Sequence, residues 1–271
     1  MNGIPGSGST ALVDAPRWID SDSSGGAART LARGAEAARR ALSVLLAALA
    51  LVALAPLMLL VALAVRLSSP GPVIYVQERV GLDRRRYEGT EHEEVDAAAQ
   101  PTSERVAAGA PLVHLERRRV DYAGRPYRMF KFRTMRVDAE ADGRPVWAQR
   151  EDPRVTPVGR VLRRLRLDEL PQLVNVLHGE MNLVGPRPER PTIVLSLREQ
   201  IDGYALRHRV PPGITGWAQV NQHYDTCLED VRSKLRYDLE YVERVRRHGV
   251  SEDLRILWRT VPVMLGRRGG W

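Results

Sequence analysis

From Ala41 to Val65 the chain runs through 25 residues without a single charge, ALSVLLAALALVALAPLMLLVALAV. As a helix this run is long enough to cross the ~30 Å of hydrocarbon in a bilayer, so the rest of the chain must fold beside a membrane. Arg39 and Arg40 precede the run and Arg66 follows it, so the bias of Lys and Arg toward cytoplasmic loops marks neither end as translocated. Pro56 sits near the middle, where it lacks the amide hydrogen that would bond the Val52 carbonyl, and a kink is expected there. Two arrangements satisfy these facts: a simple transmembrane anchor, or a broken helix that enters and leaves the same leaflet. Sequence physics leaves both open.

The remainder of the 271 residues is enough for one or two domains, and 44% hydrophobic content supports a core. A net charge of +8 and a pI of about 10.1 favour an anionic partner: acidic lipid headgroups, phosphorylated substrates or nucleic acid. With 6% aromatic residues and no recognisable DNA or RNA module, nucleic acid is not the expected partner. Cys227 is alone, so no disulfide framework exists. The six histidines lack metal-ligand spacing, and neither a Gly-rich phosphate loop nor a Gly-x-Ser-x-Gly elbow occurs.

Residues 1–35 are expected to be a disordered Gly/Ser/Ala-rich tail without a signal-peptide core, residues 36–67 the membrane helix, and residues 68–271 a catalytic domain. Residues 84–118 form a flexible insertion of unreadable purpose. Val73–Val76 and Tyr127–Met135 have strand character, the latter with Met129 or Phe130 on one face and cations on the other. Leu228, Val231, Leu235, Leu239, Val242 and Val245 mark an amphipathic helix. Ser251 is placed to cap another helix, which carries Leu254, Leu257, Trp258, Val261 and Leu265 against Arg255, Arg259, Arg267 and Arg268; it suits either a membrane interface or a core.

The chemistry gathers in Leu167-Asp168-Glu169-Leu170-Pro171-Gln172 and Val184-Gly185-Pro186-Arg187-Pro188-Glu189. A helix over Val158–Leu165 carries Arg160, Arg163, Arg164 and Arg166 toward the two acids. Pro171 is tolerable only in a first helical turn, which places Asp168 at N-cap or N1 of the next helix, where a capping acid is the bland alternative to a functional one. Two prolines around Arg187 fix its backbone and lower the entropy cost of holding a guanidinium against phosphate. Acids that attack phosphorus or hold a metal, arginines that grip phosphate, and a lipid anchor together indicate phosphoryl chemistry at a membrane surface.

With these blocks, and with Ser69-Pro70-Gly71-Pro72 through Gly81, Lys131-Phe132-Arg133-Thr134-Met135, and Tyr204–Arg209 through Val220, the chain resembles the bacterial sugar transferases, the monotopic phosphoglycosyl transferases. The resemblance covers roughly Ala41 to Leu265, skips the insertion, and lies nearest the hexose-using, exopolysaccharide-initiating subgroup. It implies an α/β, mostly helical, membrane-associated fold: a re-entrant helix, a small cytoplasmic catalytic domain and amphipathic interfacial helices at the inner membrane. It implies transfer of a sugar 1-phosphate from a UDP-sugar to undecaprenyl phosphate with release of UMP. Asp168 would be the nucleophile forming a covalent phosphosugar intermediate, and Glu169, with Asp168, would hold Mg²⁺. Lys131, Arg133, Arg163 and Arg187 would bind phosphate, with Arg160 a weaker candidate. Ala55-Pro56 stands where relatives often have Ser-Pro. Which hexose is moved, and whether the chain forms a homo-oligomer, the sequence leaves open; a non-catalytic assembly scaffold is the competing function.

Overall fold

Residues 26–83, 120–137, 139, 152–222 and 227–264 are described by the computed structural model, with side chains from residue 34 onward. Residues 1–25, the 84–118 insertion, Leu265, Arg267 and Arg268 lie outside the described residues. Helix α1, Gly26–Ser68, begins well before the expected residue 36. It stays helical through Pro56, so the expected break is not a loss of helix there. A proline removes one ladder hydrogen bond; the unbranched Ala- and Leu-rich turns on both sides sustain the helix around it.

Strands β1 (Ile74–Val80) and β2 (Pro126–Phe132) pair antiparallel, from Ile74 opposite Phe132 to Val80 opposite Pro126. Because side chains alternate along a strand, Lys131 shares a face with Met129 and Tyr127 instead of opposing Met129. Helix α2 (Pro157–Arg164) starts at Thr156, whose hydroxyl accepts from the Gly159 amide at 2.9 Å. Gly159 permits close approach to the chain after β2: a Cβ there would lie 2.0 Å from the Thr134 carbonyl oxygen.

A 3-10 turn, Leu167–Glu169, leads into α3 (Gln172–His178), which stops at Gly179 with φ +84°. Asp168 therefore does not cap α3; Pro171 occupies that position, and the acid lies one turn upstream. Strand β3 (Asn182–Val184) pairs parallel with β4 (Gly213–Thr215), and α4 (Pro191–Gln200) and the 3-10 segment Tyr204–Arg209 lie between them in the chain. Short α5 (Trp217–Asn221), long α6 (Leu228–His248) and α7 (Val250–Met264) complete the described chain. Ser251 falls inside α7, where its hydroxyl donates to the His248 carbonyl, so it does not cap the helix.

Two apolar clusters join α6 to its neighbours: Val80, Val194, Ile201, Tyr204, Val231, Leu235 and Leu239 in one, and Val184, Val210, Trp217, Tyr241, Val242, Val245 and Ile256 in the other. The other two clusters include α1. Ala47 packs with Tyr127, Met129, Leu173, Val176 and Met181, while Val61 and Val65 pack with Phe132 and Leu162. One face of the apolar helix is thus core on both sides of Pro56, while Leu45, Leu49, Val52, Leu59, Leu60, Leu63 and Leu67 are exposed.

Both ends of the uncharged run within α1, residues 41–65, are fastened to the same body. At its start, Arg39 donates to Asp253 at 2.8 Å and to the Tyr241 hydroxyl at 2.6 Å, all buried. Arg40 donates to the carbonyls of Val176 and Met181 around the end of α3. At the far end, carbonyls left without helical partners receive Arg133, which donates to Ser69 O at 2.6 Å, Pro70 O at 2.8 Å and Val65 O at 3.3 Å.

Candidate active site

Arg166 adopts a left-handed conformation, φ 58° and ψ 17°, uncommon for a residue with a Cβ. The bend tucks the next turn inward, leaving Asp168 8% and Glu169 7% exposed. Asn175, fully buried in α3, holds this segment to the hairpin: its side chain accepts from the Phe130 amide at 3.0 Å and donates to the Arg128 carbonyl at 2.7 Å. Lys131 of β2 is thereby brought to the acids.

The two neighbouring carboxylates have different surroundings. Glu169 receives Arg187 on both oxygens, at 2.7 and 3.5 Å, with Lys131 at 3.5 Å and Arg166 at 3.8 Å. Burial works against its charge, but Arg187 and Lys131 outweigh it and hold the carboxyl well below the usual carboxylate range. Asp168 Oδ1 is buried and has no hydrogen-bond partner. Burial, reinforced by the Glu169 charge, raises its pKa, while Lys131, Arg187 and Arg163 pull the other way. Burial also pushes the Lys131 ammonium down to about 8, against the attraction of Glu169.

Arg187 is set by its own loop. The prolines on either side restrict the backbone, and the neighbouring strands grip it: Gly185 N–H donates to Thr215 O at 2.9 Å and Gly213 N–H to Pro186 O at 3.0 Å. Only glycine fits at 185, since a Cβ would lie 2.2 Å from the Pro211 carbonyl oxygen. Arg207 donates to the Arg187 carbonyl at 2.8 Å, Arg79 to the Pro188 carbonyl at 3.1 Å, and the Val80 amide to the Glu189 carbonyl at 2.9 Å. Glu189 itself accepts from Lys234 at 2.9 Å. Although burial opposes its charge, Lys234 and Arg79 bring its carboxyl down to about 2.

Of the residues expected to act together, Asp168, Glu169, Lys131 and Arg187 meet, and half-buried Arg163 acts on Asp168 through its charge. Arg133 does not join them. β2 ends at Phe132, and the Arg133 guanidinium is occupied by the carbonyls at the end of α1. Arg160 is exposed on α2. Three residues that lie in the matching blocks but were given no role also shape the site: Arg79 and Gln172, which line a small cleft with Met129, Lys131, Arg187 and Pro188, and buried Arg207 behind the loop. Alternation along β1 puts Tyr75, Gln77 and Arg79 on one face, but their partners on β2 lie beyond the insertion, which hides the register.

A divalent cation fits this donor set at Asp168, whose buried oxygen is unpartnered, better than at Glu169, whose oxygens already face cations. Among the described residues no three His, Cys, Asp or Glu side chains cluster as metal ligands. Magnesium is commonly held by one or two carboxylates with substrate phosphates and water completing the sphere.

A family model described as bacterial sugar transferase matches residues 34–99 and 102–267. The UDP-glucose:undecaprenyl-phosphate glucose-1-phosphate transferase of Escherichia coli (strain K12) is 40% identical over 225 residues, 82% of this chain and 39% of that protein. The UDP-N-acetylgalactosamine-undecaprenyl-phosphate N-acetylgalactosaminephosphotransferase of Aeromonas hydrophila is 35% identical over 227 residues, 84% of this chain and 43% of that protein. A relative in Caulobacter vibrioides, with the same name as the Escherichia coli protein, is 36% identical over 230 residues, 84% of this chain and 69% of its own length. The chain thus spans less than half the length of the first two.

Proposed function

The chain belongs to the bacterial sugar transferase family, and on that premise we propose that it transfers a sugar 1-phosphate from a UDP-sugar to undecaprenyl phosphate and releases UMP. The observation that carries the proposal is the division of labour between neighbouring acids. Glu169 is saturated with cations and fixes Arg187 and Lys131; Asp168 keeps a buried oxygen uncommitted among those same cations. An Asp168 oxygen forms a bond to the sugar-bearing phosphorus as the bond from that phosphorus to the bridging oxygen breaks, and UMP departs with the electron pair. An oxygen of undecaprenyl phosphate then attacks the same phosphorus and displaces the Asp168 carboxylate, restoring it. A carboxylate needs no deprotonation at neutral pH, and Lys131, Arg187 and Arg163 offset the repulsion between it and an anionic diphosphate. Mg²⁺ would be held by Asp168 with oxygens of the diphosphate, and would neutralise charge developing on the departing nucleotide. In this reading the reaction is the first membrane step of exopolysaccharide or glycoconjugate assembly.

The relatives named above carry glucose and N-acetylgalactosamine in their names, so either hexose phosphate is a reasonable substrate. Purified protein in lipid nanodiscs with Mg²⁺ and undecaprenyl phosphate is expected to release UMP from at least one member of a UDP-hexose panel. No release from any of them overturns the proposal.

The same reading puts both ends of the apolar anchor, residues 36–67, on the cytoplasmic side. Arg39 and Arg40 at one end, and Val65 and Ser69 at the other, hold one folded body, and that body packs along the helix between them. A helix crossing the bilayer would carry its charged companions into hydrocarbon, at a cost of several kcal/mol per unmet group, about. Only its outward face, Leu45 through Leu67, is free for lipid. α7 presents Leu254, Val261 and Trp258, the last 80% exposed, as a second apolar surface suited to the interface. With Cys227→Ser as background, a cysteine introduced by Ala35→Cys is expected to resist a membrane-impermeant thiol reagent in intact cells and to react in inverted vesicles. Labelling from outside overturns the topology.

A further inference from the structure

On β1, Tyr75, Gln77 and Arg79 lie directly opposite Lys131, Met129 and Tyr127 of β2, so all six side chains leave one face of the hairpin. A hydrogen-bonded chain runs along it. Gln77 Nε2 donates to the Tyr75 hydroxyl at 3.1 Å, and Arg79 Nη2 donates to Gln77 Oε1 at 2.6 Å. Arg79 Nη1 donates to Pro188 O at 3.1 Å and approaches Glu189 Oε2 at 3.4 Å. These contacts fix the guanidinium yet leave its Nε–H buried and without an acceptor. Gln172, 2% exposed and lining the same cleft, has a buried Nε2 amide that also lacks an acceptor.

Buried donors without acceptors are uncommon in folded proteins. Here two of them sit on neighbouring walls of a cleft that Lys131 and Arg187 make cationic. Both unmet groups among the residues that line the cleft, Arg79 Nε–H and Gln172 Nε2, are donors, which selects an acceptor-rich anion. Lys131 and Arg187 act by charge on Asp168 and are also close enough to act on, or be acted on by, Arg79. Lys131 and Arg187, which line the cleft, thus lie within electrostatic reach of both Asp168 and Arg79.

We propose that Arg79 and Gln172 form a phosphate subsite adjoining Asp168, which takes the phosphoryl group that is not attacked, the one leaving on the nucleotide. This rests on the transfer reading above. The acceptor's lipid phosphate has the same chemistry, and the two sources separate experimentally. Gln172→Met preserves shape and removes a donor that has no partner within the protein; Arg79→Lys keeps the charge and loses the fork.

With the full chain in nanodiscs, calorimetric titration with UMP and with pyrophosphate is combined with thermal unfolding and with KM for undecaprenyl phosphate. Each variant is expected to bind UMP and pyrophosphate about tenfold more weakly. Gln172→Met should keep or raise Tm, because removing an unmet buried amide costs the fold nothing. A KM for undecaprenyl phosphate raised about tenfold with UMP binding unchanged keeps the phosphate subsite and assigns it to the acceptor, overturning the nucleotide assignment. Unchanged UMP, pyrophosphate and lipid parameters in both variants overturn the subsite even if wild type turns over a UDP-sugar. If wild type turns over none, yet Gln172→Met weakens pyrophosphate, the transfer reading fails and the phosphate subsite stands.

Discussion

Asp168→Asn abolishes transfer, with turnover falling by about 10⁴-fold or more, because a neutral amide cannot form and release the bond to phosphorus. The fold should survive intact. Asp168 Oδ1 has no partner whose loss would be felt, and replacing a buried charge beside Glu169 relieves repulsion. The measurement is radiolabelled sugar phosphate transferred to undecaprenyl phosphate, together with label retained on quenched protein. Near-normal turnover by the variant, or label that never joins the protein at residue 168, sinks the nucleophile assignment. Glu169→Gln is the instructive comparison, since it frees Arg187 and Lys131 from the group that aligns them.

Arg207→Leu carries the largest expected effect on the fold. Arg207 is 1% exposed, binds Asp238 at 2.6 and 2.8 Å, donates to the Tyr204 hydroxyl at 2.9 Å, and holds the Arg187 carbonyl. Removing it strands the Asp238 carboxylate in the interior, a loss of about 3–5 kcal/mol in unfolding free energy. Denaturant titration in matched detergent measures it. Adding Asp238→Leu should recover much of that stability, since a buried ion pair replaced by apolar groups is often near neutral. Activity should stay low in the double variant, because the Arg187 loop still lacks its support. A double variant that regains both stability and turnover would show that the Arg207 contact to the loop is dispensable.

The grouping of the candidate residues was more legible in the sequence than the architecture around it. The paired acids and the proline-flanked arginine drew attention to Asp168, Glu169 and Arg187, the family resemblance added Lys131, and these four do converge. Local pattern could not place Arg133, because strand alternation says nothing about where a strand ends and which orphan carbonyls lie beyond it. Nor could it separate a capping acid from one a turn earlier. Pro171 is compatible with several starting positions, and the left-handed Arg166 that sets the turn is a residue without the usual sequence signature of that conformation. Arg79, Gln172 and Arg207 were hidden for a further reason. Their importance comes from tertiary contacts, such as Arg79 with Pro188 and Arg207 with Asp238, and no local periodicity reports such pairings. The apolar run was easy to find, but that one side of it would be core could not be read from a stretch that is apolar all round.

The partly buried apolar helix also decides how portable this machinery is. A tether that merely held a domain near lipid could be swapped for any other greasy segment, or trimmed away to give a soluble version. Cutting before Ser69 would instead bare Met129, Val176, Phe132 and Leu162, unpair Asp253 and uncover the end of the helix that follows the two acids. A graft from another protein would have to reproduce Arg39, Arg40, Ala47, Val61 and Val65 in their helical phase, so the segment and the domain it serves must be exchanged together or not at all.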